Sequence, residues 1–191
     1  MTAPAKRRAT YEDVLAAPPN MVAEILFGML HTHPRPAMRH ANASSVLGML
    51  LGPFRLGRGG HDGPGGWIIL DEPELHLGSE PDVLVPDIAG WHRERLADLP
   101  KEAAWTSIAP DWACEVLSPS TQAIDRAEKM EIFLREQVSH VWLIDPIAET
   151  LEVYRHGGEL WQRLAVHHGD VAVRAEPFEV FELPLGLLWQ R

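Results

Sequence analysis

The stretch Ala113-Cys-Glu-Val-Leu-Ser-Pro-Ser-Thr121 decides how the fold is predicted. It joins an apolar run, typical of a buried β-strand, to a polar segment that favours a turn and the start of a helix. One ionisable side chain, Glu115, lies inside the apolar run. Because burying an unpaired carboxylate is costly, Glu115 needs a partner or a metal ion.

The elements predicted on either side of this stretch set the fold class. Strands are predicted over residues 21–26, 30–33, 67–70, 83–91, 111–117, 140–144, 151–155, 160–166 and 171–174, and helices over residues 10–18, 37–51 and 122–138. Pro86 requires an edge, a bulge or an end in its strand. Residues 52–66 contain seven glycines and are predicted to form a loop. Within this loop, residues 57–66 are predicted to be a flexible connection. This order favours an α/β (α+β) fold with a central mixed β-sheet flanked by helices.

Length and composition limit the class of protein. A chain of 191 residues suits one domain, residues 1–191. The formal net charge of −10 argues against broad nonspecific affinity for nucleic acid, although it leaves room for a local basic groove. Cys114 is the single cysteine, so no internal disulfide is expected. No apolar run is long enough for a membrane helix, and no apolar segment follows the basic start, so a cytoplasmic protein is expected.

Strand and helix geometry bring Glu115 toward Lys129. Side chains alternate along a strand, so Glu115 shares a face with Ala113 and Leu117. The next helix starts near Thr121 and runs back along the sheet, which places Lys129 roughly 12 Å down its axis. Glu115 lies ~7–10 Å before the end of its strand. We therefore expect Lys129 to reach over the edge of the sheet toward Glu115.

The angular spacing of the helix predicts which side Lys129 occupies. At ~100° per residue, Lys129 lies on the shoulder of the buried face, in one row with Asp125 and Phe133. The buried face itself is predicted to consist of Ala127, Met130, Leu134 and Val138. Asp125 is four residues before Lys129, so an ordinary contact along the helix explains that pair.

A second carboxylate, Asp87, lies in the strand segment VLVPDIAGW. Two carboxylates on neighbouring strands and a lysine suit a Mg²⁺ site, in which the metal activates water and the lysine orients it or stabilises developing charge. Such machinery hydrolyses phosphodiesters. The alternatives are a simple buried ion pair between Glu115 and Lys129, and an aspartate that only serves a turn.

Four segments of the chain follow one another in a specific order and spacing: VLVPDIAGWHRERL, PDWACEVLSPST, DRAEKMEIFLREQVSHVWLIDP and LEVYRHGGELW. Together they resemble the Uma-type restriction endonuclease family, long known as a domain of unknown function, in the PD-(D/E)xK nuclease superfamily. The resemblance covers nearly the whole chain, from about Tyr11 to the last strands. It implies a restriction-endonuclease-like core with a divalent-metal site.

The resemblance also implies roles for individual residues. Asp87 matches the motif aspartate, and Glu115 matches the second acidic residue. The superfamily lysine is replaced by Leu117, and Lys129 on the following helix takes its place. The catalytic set is then Asp87, Glu115 and Lys129. The metal, Mg²⁺ or Mn²⁺, would be held by the two carboxylates and the backbone carbonyl of Val116.

Other residues are candidates for supporting roles. Glu24 matches a position where the family tends to carry an acid, and it is expected to support the site together with Glu74. Either one also fits an ordinary polar residue. Arg35, Arg39 and His40 form a small basic cluster that suits phosphate contacts, with plain surface solvation as the alternative.

Two histidines suggest a different kind of site. His31 and His33 alternate on one strand face and would suit a zinc pair, but no further ligand pair has a recognisable spacing. Polar surface histidines are therefore the favoured interpretation.

Three functions are consistent with these observations. The first is a metal-dependent endonuclease acting on nucleic acid, with DNA as the expected substrate. The second is a catalytically silent nucleic-acid-binding or assembly module of the same fold. The third is a structural domain that keeps a buried ion pair for specificity. A homodimer would suit cleavage of two strands.

Overall fold

The computed structural model describes residues 7–58, 63–96 and 102–190. The strands are β1 (Met21–Leu26), β2 (Met29–Pro34), β3 (Trp67–Asp71), β4 (Glu74–Leu77), β5 (Asp82–Leu84), β6 (Ile88–His92), β7 (Trp105–Thr106), β8 (Trp112–Val116), β9 (His140–Asp145), β10 (Thr150–His156), β11 (Trp161–His168), β12 (Ala172–Val173) and β13 (Leu183–Pro184). The helices are α1 (Tyr11–Leu15), α2 (Met38–Leu50), α3 (Gly52–Leu56), α4 (Gln122–Ile124), α5 (Met130–Arg135) and α6 (Gly186–Trp189). A 3-10 turn spans Arg93–Leu96, and a π-helical turn, Asp125–Lys129, joins α4 to α5. Within the described ranges, no helix is long and apolar enough to cross a membrane.

Two mixed sheets contain β1 to β11, and β12 pairs with β13 in a separate two-stranded sheet. The larger has the order β11-β10-β9-β8-β6-β3, with β8 parallel to β9 and its other pairs antiparallel. The smaller has the order β2-β1-β5-β4-β7, with β4 parallel to β7. The predicted class, α+β with mixed sheet flanked by helices, is confirmed. Strands β1 to β11 nevertheless divide between two large sheets, whereas one central sheet was expected.

The prediction of one strand over residues 83–91 is wrong. β5 ends at Leu84 in the smaller sheet, and β6 begins at Ile88 in the larger sheet. Pro86 lies between them and has no N–H for a ladder, so the end foreseen near this proline is what occurs. We call residues 85–87 the connector, because they carry the chain from one sheet to the other.

β8 is an interior strand with apolar packing on both faces, as predicted. Trp112 and Cys114 belong to one hydrophobic core, whereas Ala113 and Leu117 belong to a second core on the opposite face. Glu115 alternates onto the second face and is 2% exposed. The charge foreseen inside the apolar run is therefore buried.

The helical segment after β8 departs from a regular α-helix. The π-helical turn shifts the angular phase, so Asp125 and Lys129 are themselves buried. Ala127, predicted to be buried, is exposed. The helix also ends at Arg135, before the predicted limit of 138. The placement of Lys129 on the shoulder of the buried face is therefore wrong, because a regular 100° spacing does not hold through a π turn.

The predicted loop over residues 52–66 contains a short helix, α3. Pro53 lies in its first turn, where a missing N–H is harmless, and Phe54 is buried against Phe178 with ring centroids 4.6 Å apart. Burial of an aromatic ring outweighs the loop composition here. Residues 59–62 of the predicted flexible connection lie outside the described residues.

Candidate functional site

A cleft of about 910 Å³ is lined by residues from both large sheets. Its walls are β1, β2, the start of α2, the connector, the turn after β8, and the π-helical turn. The acidic and basic residues that line it are the acids Glu72, Glu74, Asp87, Glu115 and Asp125 and the bases His33, Arg35, His40 and Lys129. The cleft therefore carries an excess of carboxylates.

Lys129 lies at the centre of a buried group of carboxylates. Its Nζ is 3.0 Å from Glu24 Oε1, 3.2 Å from Glu115 Oε2 and 3.5 Å from Asp125 Oδ1. The side chains of all four residues are at most 4% exposed. The predicted approach of Lys129 to Glu115 is confirmed.

Asp87 lies beside Glu115 at the mouth of the same group. The register that pairs Ile88 with Cys114 places Asp87, the residue just before β6, opposite Glu115. Asp87 Oδ2 accepts a hydrogen bond of 2.7 Å from the backbone N–H of Val116. Because the N–H and C=O of one residue in an extended strand point to the same side, the Val116 carbonyl also faces Asp87.

His40 fixes the other oxygen of Asp87. Its Nε2 is 3.2 Å from Asp87 Oδ1, and its side chain is 10% exposed. Burial lowers the pKa of His40, but the hydrogen bond and charge of Asp87 outweigh this and raise it overall. Sequence reasoning placed His40 in a surface cluster, and the structure instead shows it turned inward from the first turn of α2 onto Asp87.

Glu24 belongs to the buried group itself. Besides Lys129, its carboxylate contacts the backbone N–H of Val85 at 2.8 Å and His33 Nε2 at 3.5 Å. Burial raises the pKa of Glu24, but Lys129, His33 and the Val85 N–H together lower it to about 2. Glu24 is therefore an ionised partner of Lys129.

The ionisation of Glu115 differs from that of Glu24. Burial raises the pKa of Glu115 well above its usual range; Lys129 opposes this, and the charges of Asp125, Asp87 and Glu24 add to it. Burial lowers the pKa of Lys129, but the surrounding carboxylates raise it well above its usual range. Lys129 is thus held as a cation, whereas burial and the neighbouring carboxylates disfavour the charged form of Glu115.

One oxygen of Glu115 has no partner among the described residues. Its Oε2 contacts Lys129, whereas the buried Oε1 accepts no hydrogen bond. A buried unpaired carboxylate oxygen next to a second carboxylate fits a divalent cation, since oxygen ligands and retained waters are what Mg²⁺ prefers. Across the described ranges, no three His, Cys, Asp or Glu side chains are arranged to hold a metal by themselves. A metal here would need the Val116 carbonyl and water as further ligands.

The remaining candidate residues are dispersed. Glu74 lines the cleft but hydrogen-bonds to Tyr11 and His76 rather than to the buried group. Arg35 lines the cleft and is exposed, while Arg39 is exposed and does not line it. The structure thus separates the predicted basic cluster.

The fold is similar to the crystal structure of a "putative nuclease belonging to DUF820" from Anabaena variabilis. The two chains share 23% sequence identity and a TM-score of 0.73, over 95% of this chain and 97% of that one. At this identity the likeness shows the fold. A comparison with curated proteins gave no match.

The sequence comparison is more specific. The family model described as "Putative restriction endonuclease" matches residues 8–186, which includes Glu24, Asp87, Glu115 and Lys129. This match confirms the resemblance carried by the four sequence segments. The chain belongs to the Uma2 family of restriction-endonuclease-like proteins.

Proposed function

We propose that the protein is a metal-dependent endonuclease that hydrolyses phosphodiester bonds of nucleic acid, with DNA as the expected substrate. The observation that carries the proposal is the unpartnered Oε1 of buried Glu115, beside Asp87 and Lys129 in the cleft. Most buried carboxylate oxygens accept a hydrogen bond, so the open Oε1 favours a metal ligand over an ion pair kept only for structure.

Asp87, Glu115 and the Val116 carbonyl are the proposed ligands of Mg²⁺ or Mn²⁺. When bound, the metal supplies a Lewis acid for a phosphate oxygen and a water of lowered pKa. The protein contributes the geometry: His40 and the Val116 N–H hold the two oxygens of Asp87, so one carboxylate orientation is kept.

Lys129 is the proposed catalytic lysine. Its ammonium is held by Glu24 and Asp125 as well as by Glu115, so it stays in place when Glu115 turns to a metal. A fixed positive charge next to the ligands orients a water and stabilises charge that develops on the phosphate. Glu24 and Asp125 are proposed positioning residues, since they act through Lys129.

A cleavage assay tests the proposal. Purified protein is incubated with single- and double-stranded DNA and RNA, in Mg²⁺, in Mn²⁺ and in EDTA. Glu115→Gln and Lys129→Met are expected to lower the cleavage rate at least ~100-fold, because each removes a charged group that is proposed to stabilise the transition state. Glu152→Gln is the matched control: Glu152 is also a buried carboxylate paired with a base, Arg126, but it lies outside the cleft.

The outcomes separate the proposal from its main alternative. Metal-dependent cleavage that is lost in Glu115→Gln and Lys129→Met and kept in Glu152→Gln supports the nuclease. Binding of nucleic acid without cleavage of any substrate supports the silent module. Cleavage at the wild-type rate by Glu115→Gln would show that the site is wrongly assigned.

A homodimer remains a proposal for the case of double-strand cleavage. Light scattering of the purified protein tests it directly. A strictly monomeric mass, combined with cleavage of both strands, would refute it.

A further inference from the structure

Three rings form a supported stack at the edge of the smaller sheet. The rings of His76 and Trp105 lie 4.2 Å apart and nearly parallel, at 10°. Tyr11 packs edge-on against the same His76 ring, with centroids 4.7 Å apart. Trp105 is thus backed by a second ring, which is itself backed by a third.

The stack is fixed by hydrogen bonds beneath it. Glu74 Oε1 accepts a hydrogen bond of 2.7 Å from the Tyr11 hydroxyl and lies 2.8 Å from His76 Nε2. Glu74 is also paired with Trp105 in the parallel register of β4 and β7. His76 is 9% exposed, whereas Trp105 is 44% exposed. A tryptophan that is preorganised yet left open to solvent is suited to contact another molecule.

The stack borders the cleft of the proposed active site. Glu74 lines that cleft, and so does Ala104, the residue before Trp105. Trp105 does not line the cleft itself but follows a residue that does, so a chain leaving the cleft on this side would meet it. The tryptophan is therefore continuous with the proposed substrate path.

The charge of the cleft indicates what Trp105 would contact. Five carboxylates line the cleft against Arg35, Lys129 and two histidines, His33 and His40, and the chain has a net charge of −10. Phosphate contacts alone therefore supply little attraction for a polyanion. Stacking of a base on an aromatic ring does not depend on charge, and it requires an unpaired base, since bases of a duplex already stack on each other.

We propose that Trp105 is a stacking platform for an unpaired nucleobase, and that the substrate class is single-stranded nucleic acid. This inference rests on the proposed nuclease function and narrows it. Tyr11, His76 and Glu74 act as its support, holding the indole at one angle. DNA and RNA share the chemistry that Trp105 would recognise, so the test includes both.

Binding is measured separately from cleavage. Fluorescence anisotropy is recorded for labelled single-stranded DNA, single-stranded RNA and the matching duplex, with Ca²⁺ in place of Mg²⁺. Trp105→Ala is expected to weaken single-strand binding about 10-fold relative to the wild type, because the alanine cannot stack on a base. Trp105→Phe keeps an aromatic ring, so its affinity should stay within about 3-fold of the wild type. Leu160→Ala, at an exposed apolar residue in the turn between β10 and β11, is the control and should bind like the wild type.

A second measurement uses the unmodified protein. Single strands carrying 5-iodouracil are irradiated, and the cross-linked peptide is sequenced; attachment at Trp105 is expected. The inference is overturned if Trp105→Ala binds like the wild type, if the duplex binds more tightly than the single strand, if no strand binds, or if cross-links avoid Trp105. Loss of cleavage in Glu115→Gln is a separate result, so failure of the nuclease proposal is recognised independently.

Discussion

Lys129 Nζ lies closer to Glu24 Oε1, at 3.0 Å, than to Glu115 Oε2, at 3.2 Å. The lysine is therefore anchored by a carboxylate from the smaller sheet and shared with the proposed metal ligand of the larger sheet. Glu24 leaves Glu115 available for a cation, because Lys129 keeps a charged partner when Glu115 turns away.

Glu24→Gln should lower the stability of the protein at neutral pH. The pKa of the Glu24 carboxyl falls from 4.5 to about 2 on folding. A lowered pKa contributes stability that is present above the unfolded value and is lost as pH falls through the folded value, here between about 4.5 and about 2. Urea unfolding should show a loss of about 3 kcal/mol at pH 7. The two proteins should converge at the acid end; an equal gap at both pH values would contradict this role.

Glu115→Gln should have the opposite effect on stability when metal is absent. Burial raises the pKa of Glu115 on folding, so its contribution is present at low pH and is lost as pH rises. In EDTA, the variant should therefore gain stability relative to the wild type from pH 5 to pH 8. Thermal unfolding in Mg²⁺ should raise the Tm of the wild type and leave the variant unchanged. A Tm rise of equal size in both proteins would place the metal elsewhere.

His40→Ala should weaken metal binding. Removing the ring frees Asp87 Oδ1 to rotate, and loss of a supporting contact to a metal ligand typically lowers affinity about 10- to 100-fold. Titration calorimetry with Mn²⁺ measures this directly. Arg39→Ala is the matched control, because Arg39 is adjacent in sequence but exposed and outside the cleft. Equal Mn²⁺ affinities of the two variants would show that His40 does not support the proposed metal ligand Asp87.

Deletion of Glu128 tests the π-helical turn. Loss of one residue from Asp125–Lys129 should restore a regular α-helix and rotate Lys129 by roughly 100° relative to Asp125. Cleavage should fall about 100-fold or more while circular dichroism still reports a folded protein. Substitution Glu128→Ala keeps the turn length and is the control. Full activity in the deletion variant would show that the turn does not position Lys129.

The sequence was informative where geometry is local. Glu115 and Lys129 are joined by one strand end, one turn and one helix, so rise per residue was enough to place them side by side. The match of four segments to one family added the proposed role of Asp87 as the motif aspartate. The interior position of β8 followed from its uninterrupted apolar run.

Contacts between segments that are distant in the chain could not be predicted from the sequence. Glu24 reaches Lys129 and His40 reaches Asp87 only because two sheets and α2 come together, and no spacing rule encodes that. The π turn has no composition signal either, so the buried face of the helix was misplaced. Trp105 lies in a two-residue strand, which is too short for a periodic pattern.

The connector makes assembly of the proposed site depend on the packing of both sheets. The Val85 N–H donates to Glu24 of the smaller sheet, and Asp87 accepts from the Val116 N–H of the larger sheet, so the connector is hydrogen-bonded to both sheets. Neither sheet alone carries the full set of proposed groups. The proposed set of Glu24, Asp87, Glu115 and Lys129 is therefore complete only after Lys129 has been synthesised and both sheets have packed together, so a truncated chain would lack the proposed nuclease activity.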